Sequence, residues 1–204
     1  NMKGYKKFQE LLTLNYGAPQ MGFRVGAAEI NRISARVKLA MSFKKLELEG
    51  YKQDTADAYS SLFKVFLIYS AFEQFLKIYD VNFYDIDQRF PEHNYGDISD
   101  EIRTKDVPGK FFDFVNTHIE NPALKTRIRD FRSAASSNPA VLAAAIRHVF
   151  AHGKLTPNAN KSNPKVAIAI CTILSDFLLN FIDVEFEKSV NRFYEEQQQK
   201  GLRR

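Results

Sequence analysis

Apolar residues recur along most of the chain at the three- and four-residue spacing of an amphipathic helix. The clearest example is segment 55–79, whose apolar positions alternate these spacings without a break: Ala58, Leu62, Val65, Tyr69, Phe72, Leu76 and Tyr79. Residues 28–49 carry a similar stripe before Gly50, a residue type that often ends helices. Because an amphipathic helix buries its apolar face against other elements, both segments predict helices that pack against neighbours.

Three Asn-Pro pairs divide the second half of the chain: Asn121-Pro122, Asn138-Pro139 and Asn163-Pro164. Asparagine accepts hydrogen bonds from the free amides at a helix start, and proline suits the first helical position because it has no N–H. We therefore predict helices that begin near residues 122, 139 and 164. The last one is expected to be long, with an apolar stripe from Val166 to Val184 and a polar continuation near Glu185.

The remaining segments show weaker periodicity. Residues 80–108 contain two prolines and Gly96, and they are expected to form a long connection with a short helical turn near 98–103. A short helix is predicted over residues 110–118.

The ends of the chain are expected to be less regular than its middle. Residues 1–27 are predicted to form an irregular N-terminal extension, and residues 197–204 a frayed tail. No strand alternation, hairpin turn or sequence repeat is visible. The chain is therefore expected to be all-α, with a single-domain bundle of about five or six helices over residues 28–196.

The positive charge is concentrated in one segment. The chain has 29 lysines and arginines against 24 aspartates and glutamates, a net charge of +5. Residues 131–175 contain no acidic residue, and five basic residues there account for the excess: Arg132, Arg147, Lys154, Lys161 and Lys165. A local basic surface favours an anionic partner such as RNA or a nucleotide. The alternative interpretation is that an alanine-rich core helix and its loop simply lack acids.

Composition and missing motifs exclude several classes of protein. With 45% hydrophobic residues and 18 phenylalanines, the chain is too apolar to be disordered. Apolar runs such as 166–174 fall short of the roughly 20 residues that a membrane span needs. The single cysteine, Cys171, gives no argument for an oxidising compartment and is predicted to be a small buried apolar residue, so a cytoplasmic location without membrane attachment is expected. No glycine-rich phosphate loop, Gly-x-Ser-x-Gly motif or cysteine–histidine cluster is present, so no cofactor or metal is predicted.

Segment 147–153 carries the remaining residues with catalytic potential. His148 and His152 are four residues apart on the helix predicted to start near Pro139, and therefore share one face. Arg147 is adjacent, and its long side chain can turn its guanidinium toward that face. Gly153 is expected to end the helix, which places His152 in the last turn.

Three interpretations of this segment are open. Histidines near a helix C-terminus stabilise the negative end of the helix dipole, although two histidines and an arginine exceed what capping requires. A zinc-protease-like histidine pair is less well supported, because no glutamate follows the first histidine and no third ligand is evident. The third interpretation uses all three side chains: a histidine removes a proton from an RNA 2′-hydroxyl while Arg147 binds the scissile phosphate through two hydrogen bonds.

On these residues the chain resembles the HEPN domain family. Arg147-x4-His152, on a late helix of an all-α bundle, resembles the family's Arg-x4–6-His motif, with His148 as the polar residue that commonly follows the arginine. Ala151-His152-Gly153 is similar to a frequent ending of that motif. The long helix is similar to the family's Tyr…Glu…Leu-Lys helix at four positions: Tyr69, Glu73, Leu76 and Lys77. The resemblance covers residues 54–184.

The resemblance implies a metal-independent endoribonuclease that leaves 2′,3′-cyclic phosphate ends. Arg147 would bind phosphate, His152 would be the general acid or base, and His148 would assist. The family also implies a homodimer in which two motifs face one cleft, and a role as a toxin or in phage defence beside a nucleotidyltransferase-type antitoxin. Because other members are not catalytic, a HEPN-like module that binds RNA, nucleotide or a partner protein is the alternative. A plain helical scaffold is the third possibility.

Three further residues are candidates for contacts with substrate. Glu73 is expected either to contact a motif histidine or to pair with Lys77 four residues on. Tyr69 is expected in the core with its hydroxyl near the site, and Lys154 either touches substrate phosphate or is solvated. No role is assigned to two histidines without companion residues in the sequence: His93 and His118.

Overall fold

The structure is a computed structural model that describes residues 2–202, with side chains through Lys200. Within that range the chain forms nine α-helices and three short 3-10 turns, and no strand. The helices are α1 (Tyr5–Thr13), α2 (Ala27–Ser42), α3 (Gln53–Lys77), α4 (Ile86–Arg89), α5 (Tyr95–Lys105), α6 (Lys110–His118), α7 (Pro122–Arg132), α8 (Pro139–Ala151) and α9 (Pro164–Leu202). The 3-10 turns are Ala18–Met21, Phe83–Asp85 and Ala159–Lys161. The prediction of an all-α fold is confirmed.

Helices α3 and α9 run parallel through the centre of the bundle. The Lys165 ammonium lies 4.0 Å from the Asp54 carboxylate near their N-terminal ends, and the Phe72 and Phe181 rings are 5.4 Å apart further along. Both helices bury apolar side chains along most of their length, which is why the centre of one connected apolar core lies between them.

Helix α8 packs against α3 in the opposite direction. Its last turn lies beside the middle of α3, where the Phe150 ring is 6.4 Å from that of Phe66. At its other end, Asn138 contacts the backbone of Phe83, beyond the C-terminal end of α3. The middle of α8 consists of alanines 143–145, all buried, and such small side chains let two helices approach closely.

The helix starts predicted from the Asn-Pro pairs are confirmed. Helices α7, α8 and α9 begin at the three prolines, and each asparagine side chain accepts a hydrogen bond from an amide of the first turn. The distances are 3.1 Å from Leu124 to Asn121, 3.0 Å from Ala140 to Asn138 and 3.0 Å from Lys165 to Asn163. The caps therefore fix where the helix that carries the histidines begins.

Helix α2 ends at Ser42, earlier than the predicted boundary near residue 49. Phe43 takes an extended conformation, with φ −66° and ψ 124°, and the Leu46 amide donates to the Ser60 hydroxyl at 2.9 Å. The Leu46 amide thus donates to a side chain of α3 and not to a backbone carbonyl within α2. The helical apolar spacing of residues 43–49 therefore does not correspond to a helix.

Two segments expected to be irregular contain helices. In residues 1–27, α1 buries Phe8 and Leu11. In residues 80–108, the helical turn predicted near 98–103 is confirmed as part of the longer α5, and α4 was not predicted. These three helices raise the number from the predicted five or six to nine. Each of these helices buries only one to three residues, so it has too few apolar positions to show a helical period in the sequence.

Helix α9 is longer and more buried at its C-terminal end than predicted. It continues to Leu202 through the segment expected to fray, whereas Arg203 and Arg204 lie outside the described residues. Glu185, the predicted start of the polar part, is buried. By length and composition, α9 also qualifies as a candidate membrane span: an 18-residue window has a mean hydropathy of 1.8, and half of it is buried in the bundle. The prediction of no membrane span relied on uninterrupted apolar runs, and in α9 these runs are shorter than the 18-residue window.

Candidate functional site

Helix α8 ends at Ala151, and the chain turns at Gly153. Gly153 has a φ of 69°, in the left-handed region that favours glycine, and its amide donates to the Phe150 carbonyl at 2.9 Å. His152 closes the helix, with its amide donating to the His148 carbonyl at 3.2 Å. The predicted stop at Gly153 is confirmed, and the His152 side chain is exposed.

The two histidines lie side by side at this helix end, as their spacing predicts. Their ring centroids are 4.6 Å apart, and the ring planes are inclined by 60°. His148 is half-buried, and its Nε2 atom is buried without a hydrogen-bond partner among the described residues. A buried ring nitrogen without a partner is costly for a side chain that serves packing alone, so this atom favours a ligand that forms a hydrogen bond with it.

The surroundings of His148 favour its neutral form. Burial is the main cause that lowers the pKa of His148, and the positive charges of His152, Arg147 and Lys154 act in the same direction. The Glu120 carboxylate opposes this shift. A neutral imidazole can accept a proton, which is the property that general base catalysis requires.

Glu120 is an acidic neighbour of the site that the sequence did not reveal. It lies between α6 and α7, and its Oε1 atom is 2.7 Å from the Lys154 ammonium. That hydrogen bond lowers the pKa of Glu120, with smaller contributions from the charges of His152 and His148. Segment 131–175 contains no acidic residue, but Glu120 lies beside it in the folded structure. Lys154 is therefore not fully solvated, and a substrate phosphate would have to compete with Glu120 for it.

The charge of Arg147 acts on both His148 and the Tyr69 hydroxyl of α3. At Tyr69 it opposes the raised pKa that results mainly from burial. No described carboxylate lies within 4.0 Å of the Arg147 guanidinium, and the side chain is half-buried. An arginine without an acidic partner next to two histidines is suited to bind a phosphate.

Tyr69 is confirmed as a core residue, with 2% of its surface exposed, and its ring packs against Phe83 at 6.1 Å. Glu73 contributes to the raised pKa of Tyr69, so it lies near that tyrosine. Neither role considered for Glu73 is seen: Glu120 is the acid beside the histidines, and no Glu73–Lys77 ion pair occurs in the described structure. Glu73 lies one turn closer to the C-terminal end of α3 than Tyr69, and therefore further from the middle of α3, where α8 ends.

The other two histidines have structural partners, and the cysteine is buried. The His118 ring stacks on Phe114 at 4.1 Å, and its Nδ1 atom is 2.9 Å from the Phe114 carbonyl oxygen. The interpretation of His93 as a histidine without companions is wrong, because its Nε2 atom is 2.9 Å from Glu185 Oε1. The partner is 92 positions away, so no sequence signal could have found it. Cys171 is fully buried, as predicted.

The described residues contain no group of three or more histidine, cysteine, aspartate or glutamate side chains that could hold a metal ion. Comparison with known proteins adds no family: no family model, no curated protein and no solved structure matches the chain significantly. The fold therefore defines the protein as an all-α helical bundle, and its chemistry has to be argued from the residues at the end of α8.

Proposed function

We propose that this protein is a metal-independent endoribonuclease of the HEPN type, with its active site at the end of α8. The observation that carries the proposal is the arrangement of three side chains: exposed His152, half-buried His148 with its unpartnered Nε2 atom, and Arg147 without an acidic partner. Capping of the helix dipole would use one exposed histidine and would leave no reason for a buried nitrogen without a hydrogen bond.

In the proposed reaction, His152 acts as general base and removes the proton of an RNA 2′-hydroxyl. The 2′-oxygen attacks the adjacent phosphorus atom while the bond from phosphorus to the 5′-oxygen of the next nucleotide breaks. A protonated histidine supplies a proton to that leaving oxygen, so the products are a 2′,3′-cyclic phosphate and a free 5′-hydroxyl. The Arg147 guanidinium binds the non-bridging oxygens and stabilises the negative charge that develops on them.

His148 is proposed to assist His152. At 4.6 Å between ring centroids, a proton on His152 disfavours a proton on His148, which fits the lowered pKa of His148. A neutral His148 can accept a hydrogen bond and so orient the His152 ring or the substrate, which is the assisting role proposed for it. The Glu120 carboxylate, which lies outside α8, partly offsets the repulsion between the histidines. An RNA phosphate that approaches the site would compete with Glu120 for Lys154.

We further propose that two copies form a homodimer with RNA in the shared cleft. Each exposed helix end would then contribute a histidine, one as base and one as acid, on opposite sides of a single phosphate. A cytoplasmic location, proposed from the cysteine content, completes the proposal. A role as a toxin or in phage defence, with a nucleotidyltransferase-type antitoxin as partner, is proposed from the resemblance alone.

A cleavage assay in EDTA tests the proposed activity. We expect wild-type protein to cut a structured RNA, and Arg147→Ala and His152→Ala to cut it at least about a hundredfold more slowly, because each removes a transition-state contact. Arg36→Gln is the control variant, since this exposed arginine of α2 lines a different pocket, and it should cleave as the wild type does. Equal cleavage by wild type and His152→Ala would overturn the catalytic assignment.

The second candidate is a non-catalytic HEPN-like module that binds RNA, nucleotide or a protein partner. It is favoured by one observation, the Lys154–Glu120 ion pair, which places an acid where a substrate phosphate would be expected. The same samples distinguish the two functions. Wild-type protein that binds RNA without cutting it, and loses binding on Arg147→Ala, supports the binding module.

A further inference from the structure

A polar pocket lies beyond the C-terminal end of α3, whereas the histidines lie beside the middle of that helix. It has a volume of about 280 Å³, and it is lined by Tyr79 and by residues of α4, of the loop that follows it, and of α9. Tyr69 and Tyr79 are ten residues apart, which corresponds to roughly 15 Å along the direction of α3. The pocket is therefore separate from the end of α8.

Two arginines without acidic partners face this pocket. Arg89 comes from the end of α4 and Arg192 from α9, and neither has a described carboxylate within 4.0 Å of its guanidinium. The Arg192 guanidinium packs over Gly22, which has a φ of 89° and where an added Cβ would lie 3.2 Å from Nη2. The absence of a side chain at position 22 leaves room for Arg192 at the pocket wall.

The two acids of the pocket are already engaged by other side chains. Glu92 accepts a hydrogen bond from Lys188, and Glu185 Oε1 is 2.9 Å from His93 Nε2. Side chains of His93 and Glu185 are only 8% and 4% exposed, and the His93 ring stacks on Phe181 at 4.5 Å. Lys188 also lies 4.0 Å from Glu185 Oε2. The three cations of the lining therefore outnumber its two carboxylates, and the arginines are the cations without a described carboxylate within 4.0 Å.

Hydroxyl groups and one aromatic ring complete the lining. The Tyr79 hydroxyl donates to the Glu185 carbonyl oxygen at 3.0 Å and lies 2.9 Å from Ser189 Oγ. Phe90 packs edge-on against Tyr79, with ring centroids 5.7 Å apart. These contacts hold the lining in place before any ligand arrives, which reduces the entropy lost on binding.

From this arrangement we infer that the pocket binds the phosphate group of a small molecule between Arg89 and Arg192. Two guanidinium groups on one concave surface match the several oxygens and the double charge of a phosphate monoester better than a single carboxylate. The small volume favours a ligand of metabolite size over a polymer. The inference does not depend on the proposed ribonuclease activity, because it shares no residue with the end of α8.

Calorimetric titration of the wild-type protein with inorganic phosphate and with glycerol 3-phosphate tests the inference, and glycerol serves as the uncharged control. We expect saturable binding of a phosphate-bearing ligand, no binding of glycerol, and at least about tenfold weaker binding by an Arg89→Gln/Arg192→Gln double variant. Arg36→Gln, which changes an exposed arginine of a different pocket, should bind as the wild type does.

The two ligands also distinguish the sources of the phosphate group. Tighter binding of glycerol 3-phosphate identifies an organic phosphate, and equal binding identifies the phosphate group alone as what the pocket recognises. Absence of saturable binding of both, unchanged affinity in the folded double variant, or equal weakening by Arg36→Gln overturns the inference. Circular dichroism spectra of the variants establish that they are folded.

Discussion

The end of α8 and the pocket at Tyr79 differ in how their charged side chains are brought together. At α8, Arg147, His148, His152 and Lys154 lie within eight consecutive positions, and Glu120 alone joins them from another part of the chain. At the pocket, four distant segments contribute the lining, two of them with a single residue each. The first arrangement follows from helix geometry, whereas the second exists only after α3, α4 and α9 have packed together.

The two regions also differ in burial. His152 and Lys154 are exposed, and the Glu120–Lys154 pair lies at the surface, where solvent and salt screen it. The His93–Glu185 pair is almost completely enclosed. Exposed charges adapt to a large, variable polymer such as RNA, whereas an enclosed pair positions neighbouring groups for a small ligand. This contrast leads to different expected responses to substitution.

The largest expected difference in folding stability concerns the buried pair. Glu185→Ala leaves the buried His93 Nε2 atom without its hydrogen-bond partner and should lower the free energy of unfolding by about 2–3 kcal/mol. Urea denaturation measures this effect. His152→Ala, at the exposed helix end, should change it by about 0.5 kcal/mol or less. Glu92→Ala is the matched acidic control, because it breaks only the partly exposed pair with Lys188 and should cost about 1 kcal/mol or less.

Equal losses for Glu185→Ala and Glu92→Ala would contradict the proposed difference in burial. Such a result would mean that water reaches His93 and Glu185, and that this pair is not an enclosed part of the pocket lining.

A smaller effect is expected at the start of the helix that carries the histidines. Asn138→Ala removes the cap of α8 and the hydrogen bonds to the carbonyls of Phe83 and Tyr84, so it should cost about 1–2 kcal/mol. Asn163→Ala removes only an exposed cap on α9 and should cost about 0.5–1 kcal/mol. Thermal and urea unfolding compare the two variants, and a larger loss for Asn163→Ala would show that Asn138 does not anchor α8.

The pH dependence of stability should reflect His148. Because folding lowers the pKa of His148, the folded protein binds fewer protons there than the unfolded chain. This contribution favours folding fully above the unfolded pKa of about 6.5 and is lost as the pH falls through and below that value. Urea denaturation of wild type and His148→Gln at several pH values should show a shallower decline for the variant, and parallel declines would contradict the assignment.

The smallest expected effect concerns the acid beside the candidate active site. Glu120→Gln frees Lys154 and should strengthen RNA binding by about two- to fivefold at low salt, with a salt dependence steeper by up to about one counterion. Glu101→Gln on α5, where the acid pairs with Lys105, is the control and should leave binding unchanged. Fluorescence anisotropy with a labelled RNA gives both values. Weaker binding of Glu120→Gln would indicate that Glu120 supports the site directly.

Local sequence chemistry accounts for the parts of the structure that were predicted correctly. Asn138 and Pro139 determine the start of α8 through groups within one turn, and Gly153 determines its end, so the shared face of the histidines follows. The boundary at Ser42 was missed because the Leu46 amide bonds to Ser60 on another helix.

The neighbours of the candidate site depend on packing and left no pattern in the sequence. Glu120 meets Lys154 across 34 positions, and His93 meets Glu185 across 92. The acid-free segment therefore predicted the positive charge of the α8 end but not the carboxylate that partly neutralises it. Sequence spacing identified which residues share a helix face, and only the tertiary structure shows which charges face them.

The chemical identity of the RNA ends tests the central claim most directly. Wild-type protein, incubated with a defined RNA in EDTA, should give fragments whose masses show a 2′,3′-cyclic phosphate on one side of the cut and a 5′-hydroxyl on the other. His152→Ala should give neither product above background. Fragments with 5′-phosphate ends, or cyclic phosphates formed equally by His152→Ala, would contradict the proposed role of the α8 end in RNA cleavage.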